Sequence, residues 1–126
     1  MNIFFDVDQT LVHISHETNV LRPRAKEVMQ RLKEAGHRVY VWSASGLAHV
    51  ERVVHLHGLS EWVDGMFDKD PRVAPRPDFI IDDDWYLVEK YGGYCVSQYR
   101  EPDPEDRELE TALLRLTELG AFDLGA

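Results

Sequence analysis

The sequence predicts an α/β fold in which a doubly wound, mainly parallel sheet is flanked by helices. Strand-like and helix-like segments alternate along the chain, which is typical of parallel strands joined by helices. Most of the strand-like segments are apolar throughout, as strands covered on both faces are. Acidic or hydroxyl residues directly follow the strand-like segments at residues 3–5, 39–42 and 79–81, so polar side chains are expected together at one edge of the sheet.

Five segments predict strands because they are short, apolar and bounded by turn residues or acids. They are residues 3–5, 39–42, 62–67, 79–81 and 94–97. The third is predicted to be a short edge strand. Residues 11–21 are polar and irregular, with room for a small hairpin or loop, and the prolines at 71, 75 and 77 predict a loop before the fourth strand.

Four segments predict helices, either from apolar residues at i, i+3, i+4 and i+7 or from residues that favour helix ends. They are residues 22–35, 47–57, 85–91 and a last helix that begins at residues 103–104. Pro23 lies in the first turn of the first helix and Gly36 follows its end, while Asp84 is placed to cap the third. The resulting expectation is a Rossmann-like sheet that binds its ligand beyond the carboxyl ends of the strands.

Size and composition fit one domain over residues 1–126. Of the 126 residues, 44% are hydrophobic and 29% charged, which is ordinary for one folded domain and excludes extensive disorder. No apolar run is long enough to span a membrane, no signal peptide is recognisable, and Cys95 is the single cysteine. We therefore expect a cytoplasmic protein with no membrane partner and no internal disulfide.

The charge balance argues against one class of partner. With 14 basic and 23 acidic residues, the net charge is -9, which disfavours nonspecific binding to nucleic acid or to an anionic membrane because both require a basic surface. Two local basic clusters remain candidates for contact with a phosphate. One contains Arg22, Arg24 and Lys26, and the other contains Lys69, Arg72 and Arg76.

The expected binding edge of the sheet carries up to five carboxylates and a hydroxyl. They belong to Asp6, Asp8, Ser43, Asp82, Asp83 and Asp84. Carboxylates so close together repel one another, so we expect a cation among them. Hard oxygen ligands favour Mg²⁺, and Mg²⁺ in turn favours a phosphorylated substrate.

Three motifs in this order resemble those of the haloacid dehalogenase-like (HAD) superfamily of phosphohydrolases. Residues 5–11 (Phe-Asp-Val-Asp-Gln-Thr-Leu) resemble its first motif, residues 41–43 (Val-Trp-Ser) its second and residues 80–83 (Ile-Ile-Asp-Asp) its fourth. The first motif is similar to that of capless phosphatases of the RNA polymerase C-terminal-domain type. Two features depart from that subgroup: the segment before the first helix is shorter, and Asp83 stands where the subgroup often has Asn.

The resemblance implies a magnesium-dependent phosphatase and a role for each residue of the site. Asp6 is the implied nucleophile and Asp8 the implied general acid and base. The implied phosphate-binding residues are Thr10, Ser43 and Lys69, with Arg76 as the competitor of Lys69; a compact ammonium favours the lysine. The implied magnesium ligands are Asp6, the backbone carbonyl of Asp8, and Asp83, with Asp82 beside them.

The spacing of the motifs also predicts that the site has no cap domain. Asp6 and Ser43 are 37 positions apart, and Ser43 and Asp82 are 39 apart, which the predicted helices, strand and loops fill. An open site suits a macromolecular phosphate or a homo-oligomer in which a neighbouring subunit covers it. The identity of the phosphorylated substrate stays open.

Two other functions compete with the phosphatase hypothesis. A phospho-accepting receiver domain would carry its acid pair on the first strand and its accepting Asp on a later one. In this chain the Asp-x-Asp-x-Thr motif comes first and the Asp-Asp pair comes last, and this order opposes a receiver domain. A non-catalytic or signalling phospho-binding domain with the same fold is opposed by the retention of Asp6, Asp8, Thr10 and Asp83.

The remaining conspicuous residues are interpreted as structural. Cys95 is predicted to lie in the core, and three tryptophans, Trp42, Trp62 and Trp85, are predicted to pack in the core or at its rim. The six histidines do not predict a zinc site, because they lack Cys partners and lie on different elements. His13 is expected near the mouth of the site.

Overall fold

The computed structural model describes residues 1–73 and 75–120, which form seven strands and four α-helices. In chain order the strands are β1 (Asn2–Phe5), β2 (Val12–Ile14), β3 (Asn19–Leu21), β4 (Arg38–Ser43), β5 (Gly65–Asp68), β6 (Phe79–Asp82) and β7 (Gly93–Cys95). The helices are α1 (Ala25–Glu34), α2 (Leu47–Leu56), α3 (Trp85–Tyr91) and α4 (Glu108–Glu118), and a 3-10 turn covers Ser60–Trp62.

Five of the strands form one parallel sheet in the order β5-β4-β1-β6-β7. The chain builds outward from β1 through β4 to β5, then returns to the other side of β1 to add β6 and β7. The order therefore reverses between β1 and β6, and a sheet of this kind has its binding crevice at the carboxyl ends of the strands there. The predicted α/β class with a parallel, Rossmann-like sheet is confirmed at this level.

Alternate residues of the central strands enter two different apolar clusters. Ile3 and Phe5 pack with the buried faces of α1, α2 and α4. Phe4, Tyr40 and Trp42 pack on the opposite face against side chains of α3 and of the loop before β6. Both faces of the sheet are thus covered, which explains why these strands are apolar at every position.

The two connections that could carry a cap domain are short, and residues 1–73 are all described. Between β1 and α1 the chain forms only the antiparallel hairpin of β2 and β3, with three residues in each strand. Between β4 and β6 it forms α2, the 3-10 turn, β5 and a loop that contains the three prolines. Among the described residues, the carboxyl edge of the sheet therefore has at most this hairpin as a flap. Within the described residues, no helix is both long and apolar enough to cross a membrane.

Several boundaries differ from the predictions. α1 begins at Ala25 rather than residue 22, since Arg24 has a left-handed backbone with φ of 72°. α4 begins at Glu108 rather than residue 103, since Asp103 and Asp106 accept backbone N–H bonds that form separate turns. The edge strand covers Gly65–Asp68, and the last strand ends at Cys95 rather than at residue 97.

Two side chains that were predicted to pack are exposed, and these predictions were wrong. Cys95 lies on β7, at the edge of the sheet, where Tyr94 contacts the core and Cys95 therefore faces the other way. Trp85 is the first residue of α3, and 65% of its surface is exposed. Trp42 is buried and Trp62 packs partly against the core, as predicted.

Candidate active site

The loop that follows β1 holds Asp6 in a fixed position. The backbone N–H of Asp6 donates to the carbonyl of Ile81 at 3.0 Å, which continues the pairing of β1 with β6 by one residue. Thr10 lies in a tight turn closed on the carbonyl of Val7, and its Oγ1 donates to Asp6 Oδ2 at 2.9 Å. Gln9, between the two acids and Thr10, has φ of 60°, a backbone conformation uncommon for residues other than glycine. The loop is thus shaped to present the Asp6 carboxylate.

Lys69 lies between the acids of β1 and those of β6. Its Nζ donates to Asp6 Oδ1 at 2.9 Å and is 2.9 Å from Asp82 Oδ2. Its backbone N–H donates to the carbonyl of Ser43 at 3.0 Å, so the residue after β5 is tied to the end of β4. Of Lys69 and Arg76, the two candidates from the sequence for binding the phosphoryl group, Lys69 is the one that contacts Asp6.

The competing basic residues make other contacts. The Arg76 guanidinium lies 5.5 Å from the centre of the Tyr91 ring. Arg72 pairs with Asp70 at the surface. Arg22 is buried and pairs with Asp106. Of the two basic clusters that were candidates for a phosphate contact, the second contacts Asp6 and Asp82 through Lys69.

Three carboxylates meet beside Lys69. One oxygen from each of Asp6, Asp82 and Asp83 lies within 4.8 Å of the other two. Asp82 Oδ1 also accepts the backbone N–H of Asp84 at 3.0 Å, and Asp83 Oδ2 accepts a bond from Gln98 Nε2 at 2.9 Å. Two of these carboxylates are buried and the third is half-buried, so the cluster has little water to screen it.

Among the described residues, this cluster places three carboxylates around the single ammonium of Lys69. Burial, together with the neighbouring Asp82, raises the pKa of Asp6 to about 7, although Lys69 acts against the shift. Burial likewise raises the pKa of Asp82. Burial alone would lower the pKa of Lys69, but the two carboxylates outweigh it and the pKa is raised. Three acids facing one ammonium fit an added cation, and the all-oxygen donor set is of the kind that Mg²⁺ prefers.

Asp8 stands apart from the three-carboxylate cluster. Its side chain is 44% exposed, and its Oδ1 lies 2.6 Å from Nε2 of His49. His49 is the third residue of α2 and was missed by the sequence analysis. Its position in the first turn of α2 could have indicated it, because the helix that follows a parallel strand begins at the carboxyl edge of the sheet, where the site lies.

The two predicted hydroxyls have different surroundings. The hydroxyl proton of Thr10 is donated to Asp6, so this side chain contacts the carboxylate itself. Ser43 Oγ is buried and accepts the backbone N–H of Ser45 at 3.0 Å. Because that bond uses an acceptor site of the hydroxyl, the Ser43 proton remains available to donate.

The side chains of Asp84 and His13 bond to backbone groups. Asp84 caps α3, since its side chain accepts the backbone N–H groups of Tyr86 and Leu87. His13 is half-buried, and its Nδ1 is hydrogen-bonded to the carbonyl of Tyr99 at 3.1 Å. The capping prediction is confirmed, and it separates Asp84 from the three acids that face one another.

In comparisons with known proteins, no family model matches the chain, and no curated protein is significantly similar to it.

Proposed function

We propose that the chain is a magnesium-dependent phosphomonoester hydrolase of the HAD-like type, with Asp6 as its nucleophile. The observation that carries this proposal is the arrangement around Asp6. Its carboxylate is held by Lys69 and Thr10, it faces Asp82 and Asp83, and Asp8 follows two residues later on the same loop. Transfer of a phosphoryl group through an aspartyl-phosphate requires such a set: one fixed carboxylate beside a lysine, two further acids, and a second carboxyl at the surface.

In the first step a carboxylate oxygen of Asp6 attacks the phosphorus, and the bond between phosphorus and the leaving-group oxygen breaks. The products are an aspartyl-phosphate on Asp6 and an alcohol or phenol, which takes its proton from the Asp8 carboxyl. Fixing Asp6 through Thr10 and Lys69 limits the motion that would otherwise be lost on reaching the transition state.

In the second step a water molecule attacks the phosphorus of the aspartyl-phosphate. Asp8, now a carboxylate, removes a proton from this water, and the bond between phosphorus and Asp6 breaks. Inorganic phosphate leaves, and both acids return to their starting states. The exposure of the Asp8 side chain suits a group that must meet both a leaving group and a water molecule.

Lys69 and Ser43 supply the electrostatic part of the mechanism. The ammonium of Lys69 and the free proton of the Ser43 hydroxyl can bind the phosphoryl oxygens as charge accumulates on them. Asp6, Asp83 and the backbone carbonyl of Asp8 would hold Mg²⁺, with Asp82 beside them. When bound, this ion supplies positive charge that offsets the carboxylates and the phosphoryl oxygens.

The test is phosphate release from a panel of phosphorylated metabolites, nucleotides, nucleic-acid ends and phosphopeptides. We expect activity with Mg²⁺ and none after its removal. Asp6→Asn should lower turnover by about a thousandfold or more, because an amide cannot act as the nucleophile. Glu51→Gln, which neutralises an exposed carboxylate on α2, is the matched control and should behave as wild type.

A thermal melt of each variant separates loss of chemistry from loss of fold. Wild-type rates in a folded Asp6→Asn variant would contradict the proposed nucleophile. Binding of phosphate esters without any turnover by the wild type would instead favour a non-catalytic phospho-binding domain.

A further inference from the structure

The contact between His49 and Asp8 has no place in the mechanism described so far. Nε2 of His49 lies 2.6 Å from Asp8 Oδ1, across 41 positions of sequence. The imidazole is the more enclosed partner, with 17% of its side chain exposed against 44% for Asp8. A short, directed contact therefore reaches a carboxyl that would otherwise stand largely in water.

His49 is presented by a rigid element. α2 is packed into the core through Val50, Val53 and Val54. Its first turn is tied to the end of β5, since the backbone N–H of Leu47 donates to Asp68 Oδ1 at 2.6 Å. The backbone that carries His49 is thus held independently of the loop that carries Asp8, and the imidazole can restrict the rotamers of the Asp8 side chain.

We propose that His49 is the positioning residue of Asp8: its Nε2–H donates to Oδ1 and leaves Oδ2 as the oxygen that exchanges protons with the leaving group and with water. This inference rests on the proposed role of Asp8. An N–H bound to Oδ1 disfavours a proton on the same oxygen, since the two hydrogens would face each other. The carboxyl proton is therefore carried on Oδ2, in one orientation rather than several.

The expected consequence depends on the leaving group. Phenyl phosphate releases a basic oxygen that needs a proton, whereas 2,4-dinitrophenyl phosphate releases a phenolate that leaves without one. The first-step rate constant kcat/KM should therefore depend on His49 for the first substrate and be nearly independent of it for the second.

The experiment compares wild type, His49→Ala, His49→Gln and His55→Ala on both substrates with Mg²⁺. For His49→Ala we expect kcat/KM to fall about tenfold to a hundredfold on phenyl phosphate and by less than about threefold on the dinitrophenyl ester. His49→Gln carries an amide N–H at a similar reach and should recover most of the loss. His55 is an exposed histidine of the same helix, so His55→Ala should match wild type on both.

The possible outcomes separate the positioning role of His49 from the proposed hydrolase function. An equal fall on both substrates, or no fall on either, overturns the positioning role of His49, and so does a failure of His49→Gln to recover activity in a folded protein. If the wild type hydrolyses neither ester, the proposed hydrolase function is contradicted, and the role of His49 that rests on it is overturned as well.

Discussion

Asp83 and Asp84 are adjacent residues of the same type with different surroundings. An oxygen of Asp83 lies within 4.8 Å of carboxylate oxygens of Asp6 and Asp82, whereas the Asp84 carboxylate caps α3 through two backbone N–H groups. Capping uses the negative charge at a helix N-terminus, where it stabilises the helix. The two side chains should therefore differ in what they do for a bound cation.

We expect Asp83→Ala to weaken Mg²⁺ binding at least about tenfold and Asp84→Ala to leave it nearly unchanged, because only the first removes a facing oxygen donor. Asp84→Ala should instead lower the free energy of unfolding by about 1 kcal/mol through loss of the cap. Titration calorimetry with Mg²⁺ and urea unfolding measure the two effects. The opposite ranking of the two affinities would show that the ligand assignment is off by one residue.

The sequence indicated some residues of the site but not all of them. Asp6, Ser43 and Asp82 each lie at the end of a buried strand, so the parallel sheet alone predicts that they meet. His49 and Gln98 touch Asp8 and Asp83 through side chains that cross from other parts of the chain. No fixed spacing relates these partners, and their contacts depend on how far each side chain reaches after the elements have packed.

At the scale of elements, Arg22 joins three segments around the site loop. Its guanidinium pairs with Asp106 through Nε at 2.8 Å and Nη2 at 3.0 Å, and Nη2 also donates to the carbonyl of Ser97. Nη1 donates to the carbonyls of Gln9 and Thr10 at 3.5 and 3.3 Å. The loop after β1, the segment after β7 and the approach to α4 are therefore held by one buried side chain.

Replacing this arginine should destabilise the fold much more than replacing an exposed neighbour. We expect Arg22→Met to lower the free energy of unfolding by about 3 kcal/mol or more, since Asp106 and the carbonyls of Gln9, Thr10 and Ser97 each lose a hydrogen-bond donor. Arg24→Met removes an ion pair with Glu110 from a side chain that is 54% exposed, and it should cost less than about 1 kcal/mol. Urea unfolding of both variants measures the difference, and similar losses would contradict the structural role of Arg22.

The difference in the free energy of unfolding between wild type and Arg22→Met should change with pH in a direction that the pKa of Asp106 determines. Burial alone would raise the pKa of Asp106, but hydrogen bonds from Arg22 and from the backbone of Glu108 outweigh it and lower the pKa. A lowered pKa stabilises the fold above the ordinary value of about 4, and this contribution is lost as the pH falls through the lowered pKa. The difference in the free energy of unfolding between wild type and Arg22→Met should therefore become smaller in acid.

The elements themselves could be predicted better than their ends. The central strands have no polar face, so their segments indicate a sheet covered on both sides without any tertiary information. The start of α4 could not be predicted in this way. Asp103 and Pro104 resemble a helix start, but Asp106 is engaged by Arg22 from a distant part of the sequence, and the turns before Glu108 form instead.

On the scale of the whole molecule, the candidate site lies at the carboxyl edge of the sheet, and the described residues place no further domain over it. The hairpin of β2 and β3 is the whole insertion between β1 and α1, and the described part of the link from β4 to β6 adds only α2, the 3-10 turn, β5 and a loop. Asp8, the proposed acid and base, is 44% exposed at its side chain. An open site of this kind holds a small ester mainly by its phosphate group, with little exclusion of water.

A substrate that covers the site itself, or a second subunit that does so, would supply the missing orientation. We therefore expect slow and unselective hydrolysis of small aryl phosphates by the monomer, and kcat/KM at least about a hundredfold higher on a macromolecular phosphate or in an oligomer. Light scattering gives the oligomeric state, and phosphate release from p-nitrophenyl phosphate and from phosphorylated proteins or nucleic-acid ends gives the two efficiencies. Asp6→Asn is the control for both substrate sizes, because contaminating phosphatases would survive it. A strictly monomeric protein with high efficiency and sharp selectivity for one small metabolite would contradict this expectation, since the described connections hold nothing larger than the hairpin to enclose such a substrate.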